Sequence, residues 1–113
     1  METTCAVADV QTDNSGRVTN CHILAATQNP QAVQEAVGRA MRMRGEDVLV
    51  NVTLLGSGFG RKSKPDYCVE AARLSRELKR PVHVTWTRED DPRHDYFHAI
   101  SDIHCEGVLN DEG

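Results

Sequence analysis

The sequence predicts an α+β fold: a mixed sheet of about five strands with two helices packed on one face. Three observations lead there. Apolar residues alternate with polar ones in several short β-branched runs. Two longer stretches carry apolar residues at helical spacing, each opened by a proline. Strands and helices are interleaved along one chain of 113 residues, the length of one modest domain.

Residues 5 to 11, CAVADVQ, alternate as a half-buried strand does. TDNSGR is turn chemistry, and residues 18 to 26, VTNCHILAA, form the second arm of an antiparallel hairpin. In TQNPQAVQEAVGRAMRM, Asn29 is a good N-cap and Pro30 suits the first helical position. Val33, Ala36, Val37, Ala40 and Met41 mark the inward stripe, and Gly45 is the expected stop. Val48, Val50 and Val52 then alternate with Leu49, Asn51 and Thr53 as a third strand.

A second helix spans residues 65 to 79, with Cys68, Ala71, Ala72, Ser75 and Leu78 inward and Pro81 beyond its end. PVHVTWT is the fourth strand, with Val82, Val84 and Trp86 on one face. REDDPRHDYFHA reads as an irregular polar loop, in which Arg88, Glu89, Asp90 and Asp91 form a solvated turn. SDIHCEGVL alternates again as a fifth strand, with Ile103, Cys105 and Val108 inward.

Hydrophobic content of 39% and charged content of 27% belong to a globular chain. A net charge of -4 argues against nucleic acid, which needs a basic face. No run approaches the ~20 apolar residues of a membrane span. METTCAVADV lacks the basic and apolar regions of a secretory leader, so the chain carries no address of its own. The four cysteines, Cys5, Cys21, Cys68 and Cys105, lack C-x-x-C spacing and read as small buried apolar residues. His94 and His98 would share a face if helical, but two imidazoles do not make a metal site. His22, His83 and His104 fall in predicted strands and read as structural.

The stretch LLGSGFGRKSKPDY carries the chemistry. Strand, glycine loop and helix together form a setting in which bare backbone N–H groups meet an anion. A P-loop requires a glycine directly before its Lys-Ser pair, but Arg61 separates Gly60 from Lys62 and Ser63. A dinucleotide fingerprint requires a third glycine where Arg61 stands. An idle turn with a solvated basic cluster of Arg61, Lys62 and Lys64 explains the glycines but not Phe59. A large ring between Gly58 and Gly60 fits a backbone that approaches a ligand while the ring lines an apolar cavity.

GSGFGRKSKPDYCVEAARLS, the following RPVHVTWTREDDPRHDYFH and the upstream ATQNPQ resemble the molybdenum-cofactor-binding subunit of the xanthine dehydrogenase and aldehyde oxidase family. The likeness is strongest to its isoquinoline 1-oxidoreductase branch, and it runs from about residue 5 to residue 110. It implies molybdopterin, in its dinucleotide form in bacteria. It assigns Gly58, Phe59 and Gly60 as backbone contacts to the metal's oxygen ligands, Gln28 as a side-chain donor to one of them, and Arg61 as a further cofactor-binding residue. A neutral carboxamide adds no charge beside the metal. Tyr96 and His98 would lie near the substrate funnel.

The sequence also departs from the family pattern. Ser57 replaces the middle glycine of the usual triple, which requires a negative φ there. Phe97 and Ala99 replace a tyrosine and a proline. Ser63 stands where the purine-oxidising branch has a substrate-binding glutamate, so purine specificity is not implied. The family's general base lies in a later segment that these residues do not include.

The expectation is therefore that residues 1–113 are one molybdopterin-binding subdomain of a larger molybdenum hydroxylase, cytoplasmic or periplasmic, and inactive alone. No cofactor is expected to stay bound to this chain by itself. Its expected partners are the remainder of the molybdenum subunit and an iron–sulfur subunit or domain, with self-association through exposed apolar surface as a further possibility. Two other classes stay open: a phosphate- or nucleotide-binding module using Gly56 to Ser63, and a ligand-free oligomeric scaffold.

Overall fold

Alternation in the first forty residues becomes a hairpin and a helix. In the computed structural model, which describes residues 2–97 and 99–111, β1 (Cys5–Thr12) pairs antiparallel with β2 (Val18–Ala25), with Ala8 opposite Ile23. The turn between them is held by Asp13, whose carboxylate accepts from the backbone N–H groups of Ser15 and Arg17. α1 (Pro30–Met41) is capped by Asn29, whose side-chain oxygen accepts from the Ala32 N–H at 3.1 Å. The helix stops at Arg42 in a left-handed conformation, three residues before the expected Gly45, which instead begins a short 3-10 turn.

β3 (Val48–Val52) lies parallel to β2, α2 (Asp66–Leu78) follows the glycine loop, and β4 (Val82–Thr85) pairs antiparallel with β1. The sheet order is β3-β2-β1-β4. The sheet is mixed, as expected, because a hairpin turns back on itself whereas the α1 crossover returns the chain in the same direction.

One alternating set, Ala6, Ala8 and Val10 with Cys21, Ile23 and Ala25, is buried with Val33, Val37 and Met41 of α1 and Tyr67, Cys68, Ala71 and Ala72 of α2. Each large aliphatic side chain so buried contributes about 1.5–3 kcal/mol. Small side chains on both β1 and α2 let the helix lie close to the strand. Ser75 is buried there with its hydroxyl satisfied, accepting from Val10 N–H at 3.0 Å and donating to the Arg80 carbonyl at 2.8 Å.

Three expectations are corrected. Among the described residues the sheet has four strands rather than about five: residues 101–109 form no strand, and Ile103, Cys105 and Val108 are exposed. The acidic loop contains a third, one-turn helix, α3 (Asp90–Arg93), and Asp91 within it is buried rather than solvated. Leu78 does not join the α2 stripe but is half exposed, and the larger Tyr67 fills the core at the other end of the helix. All four cysteines are free; Cys21 and Cys68 are buried and Cys5 partly so.

Candidate functional site

The site follows from one topological fact. β2 and β3 run parallel, with Ala25 beside Val52, so both chains leave the sheet at the same end. Thr53 N–H continues the pairing onto the Ala25 carbonyl at 3.1 Å. Beyond that point β2 delivers Thr27, Gln28 and Asn29 into α1, and β3 delivers the glycine loop into α2. Two segments 32 residues apart in sequence therefore meet where adjacent parallel strands end, the usual place for a ligand in such sheets.

Their junction is dense with hydrogen bonds. The Lys62 carbonyl accepts from Gln28 N–H at 3.0 Å and from the Thr27 hydroxyl at 2.9 Å, and that hydroxyl accepts from Asn29 N–H at 3.1 Å. Gln28 Oε1 accepts from Gly60 N–H at 3.1 Å. Because that contact fixes the oxygen, the exposed carboxamide presents its NH2 group as a donor. The N–H groups of Gly58 and Phe59 donate to no acceptor among the described residues. Gln28 Nε2, Gly58 N and Phe59 N are thus three neutral donors in one neighbourhood.

Glycine is needed here for two different reasons. At Gly58 a Cβ would overlap the Gln28 carboxamide, so a side chain there would push Gln28 out of its place beside Gly60. At Gly60 there is room for a Cβ, but φ is +82°, where other side chains are strained. Phe59 takes a left-handed conformation as well, with φ +45°, and holds its ring 71% exposed. Ser57 is not in the left-handed region, so a side chain there carries no backbone strain.

The cations of RKSK are not a solvated cluster. Arg61 and Lys62, which open a 3-10 turn over Arg61–Ser63, are 5% and 0% exposed. Lys62 Nζ donates to the Thr3 carbonyl at 2.8 Å and lies 5.7 Å from the Tyr67 ring centre. The Arg61 guanidinium binds both oxygens of Asp66 at 2.9 Å. Its Nε lies 3.0 Å from Asp95, close enough for an ion pair but not aligned as a hydrogen bond. Lys64 alone among the three is exposed. An open cleft of about 480 Å³ lies between the loop and Asp95, Tyr96, Phe97 and Ala99, with Phe59 and Lys64 in its opposite wall.

Of the residues expected at the site, Gln28, Gly58, Phe59 and Gly60 come together, and Arg61 lies directly beneath them with its side chain turned inward. Tyr96 lines the cleft, and His98 lies outside the described residues. His94 packs edge-on against Trp86 at 5.7 Å. Sequence reasoning missed Thr27, the Lys62 carbonyl and Asp95. No motif announces them, because they act through contacts that only the parallel strand pair creates.

A family model described as "Molybdopterin cofactor-binding domain" matches residues 1–113. The chain belongs to that family. It is similar to isoquinoline 1-oxidoreductase subunit beta of Brevundimonas diminuta, at 30% identity over 96% of this chain and 13% of that protein. It is 32% identical to a membrane-bound aldehyde dehydrogenase [pyrroloquinoline-quinone] of Gluconacetobacter polyoxogenes, over 70% of this chain and 10% of that protein. The crystal structure of quinoline 2-oxidoreductase from Pseudomonas putida 86 superposes with a TM-score of 0.64 at 32% identity, over 80% of this chain and 11% of that one. The chain therefore spans about a tenth of the length of the relatives it matches.

Proposed function

We propose that this chain is the part of a molybdenum hydroxylase that presents neutral hydrogen-bond donors to the pterin-held metal, and that it is one subdomain of a larger catalytic subunit. The carrying observation is the Gln28–Gly60 bond, with the Gln28 carboxamide seated against the bare backbone of Gly58, where a Cβ would displace it. It leaves Gln28 Nε2 and the Gly58 and Phe59 amides free. Such donors suit an oxygen-rich, electron-poor centre, because they stabilise oxygen without adding a charge. The residues present therefore fit the cofactor. When bound, it supplies the redox chemistry of hydroxylating an sp2 carbon with oxygen from water.

Gln28, Gly58, Phe59 and Gly60 hold and orient it in this reading, and Phe59 with Tyr96 walls the approach. An N-heterocycle or an aldehyde is the proposed substrate class, in keeping with the names of the relatives. The remainder of the molybdenum subunit and an iron–sulfur subunit or domain complete the enzyme, since one loop and one carboxamide cannot enclose a cofactor of that size. Exposed Leu54, Ile100 and Leu109 mark apolar surface for those neighbours or for a second copy. A nucleotide-binding reading loses its cation, because Lys62 Nζ is buried on Thr3.

The test is made in the complete enzyme. Gln28→Leu is expected to slow turnover roughly 10²-fold while the protein stays folded, the scale of losing one preorganised donor. Gly58→Ala is expected to lower molybdenum content measured by mass spectrometry. Wild-type rate and metal content in both variants would refute the assignment. The isolated chain, supplied with cofactor and an N-heterocycle, is expected to show no turnover; measurable turnover would refute its role as a subdomain.

A further inference from the structure

We infer that Arg61 is a positioning residue: its buried guanidinium clamps the glycine loop to the start of α2 and to the acidic segment 91–96, and so fixes the donors at Gly58 to Gly60. The inference rests on the proposed role of that loop, but its geometry is independent of any cofactor.

Arg61 backbone N–H closes the turn onto the Gly58 carbonyl at 2.9 Å, so its main chain is part of the loop. Its side chain leaves in the opposite direction. There it meets Asp66 in a two-pronged contact and Asp95 at 3.0 Å. Three rings surround it, with centres 5.3 Å (Trp86), 5.5 Å (Tyr96) and 6.0 Å (Tyr67) from the guanidinium carbon. Asp91, 2% exposed, adds a third carboxylate to its field. The loop and the acidic segment share no strand pairing; the Arg61 side chain joins them through Asp95 and the Tyr96 ring, over which Lys64 Nζ also lies at 5.0 Å.

Without the guanidinium, Asp66, Asp91 and Asp95 would repel one another beneath the loop. Lysine cannot substitute: a single ammonium does not grip a carboxylate by two parallel bonds, reach a second one and lie flat among rings. The arginine also carries Tyr96 on its face, so the same clamp sets one wall of the 480 Å³ cleft.

The experiment uses the full chain, isotope-labelled, with amide exchange read by NMR. Gly60 N–H, bonded to Gln28, reports the loop; Ile23, fully buried in β2, reports global stability. Arg61→Lys is expected to speed Gly60 exchange by about tenfold more than it speeds Ile23 exchange, the signature of local opening. Asp95→Asn is expected to leave Gly60 exchange within about twofold of wild type while removing the nuclear Overhauser contacts between the Tyr96 ring and Arg61. If Arg61→Lys gives no dispersed spectrum, Asp66→Asn carries the same loop test with the arginine retained. Equal acceleration at Gly60 and Ile23, or an Asp95→Asn variant with Tyr96 still in contact, overturns the clamp. Neither result touches the cofactor reading, which stands or falls on the Gln28 and Gly58 variants.

Discussion

Two neighbouring parts of one loop invert the usual partition between core and surface. In LLGSGFG, Leu54 is 97% exposed and Phe59 71% exposed. In the RKS that follows, Arg61 and Lys62 are buried. The difference shows that burial here follows partners rather than side-chain polarity. Each buried cation has specific acceptors: a carboxylate pair for Arg61, a carbonyl and an aromatic face for Lys62. Leu54 and Phe59 stay largely exposed among the described residues; in the proposed reading a cofactor or a neighbouring domain covers them.

The largest break in this comparison is expected at Lys62. Lys62→Ala removes a fully buried stem from the Tyr67 ring and leaves the Thr3 carbonyl without its donor. Cavity and unpaired acceptor together should cost about 3 kcal/mol, read as a lowered denaturant midpoint. A cost under about 0.5 kcal/mol would mean the burial is incidental.

An intermediate effect is expected in alkali, from the thiols behind the loop. Burial pushes Cys68 from 9.0 up to about 12, with smaller contributions from its neighbours, and burial first and Asp9 second push Cys21 to about 11. The folded state therefore holds these protons more tightly than the unfolded chain does. That contribution is complete below about pH 9 and is lost as pH rises through the folded-state values, so stability should fall between about pH 9 and pH 12. Cys68→Ala should flatten the decline, although it lowers stability at neutral pH by leaving space in the core. An unchanged slope would show that the thiol is not the titrating group.

The smallest effect sharpens the inversion. Leu54→Lys places a charge where a leucine is almost wholly in water, and it should shift stability by less than about 0.5 kcal/mol. A loss comparable to that of Lys62→Ala would show that Leu54 is packed in solution.

A second pair explains where pattern reading held and where it stopped. CAVADVQ and SDIHCEGVL alternate alike, yet the first is an inner strand of the sheet and the second is unpaired. Alternation says that one face will be buried if the segment pairs; it does not supply the neighbouring strand. CAVADVQ finds β2 across a short turn and β4 on its other side. Residues 101–109 pair with neither edge strand, β3 or β4, among the described residues. In the same way, Asp91 read as a surface charge because its sequence neighbours are polar, whereas α3 turns it inward.

By itself the sequence determined what is local: the hairpin turn, the Asn29-Pro30 helix start, the period of each strand and helix, and the glycine, phenylalanine and glutamine types that give the site its chemistry. These depend on backbone sterics and on neighbours a few residues away. The tertiary structure alone decided that β2 and β3 run side by side in the same direction, and hence that Gln28 meets Gly60. It also decided that Arg61 and Lys62 point inward, because their partners lie at Asp95 and Thr3, tens of residues away along the chain. A buried charge is stable only beside its acceptors, and those acceptors are gathered by folding.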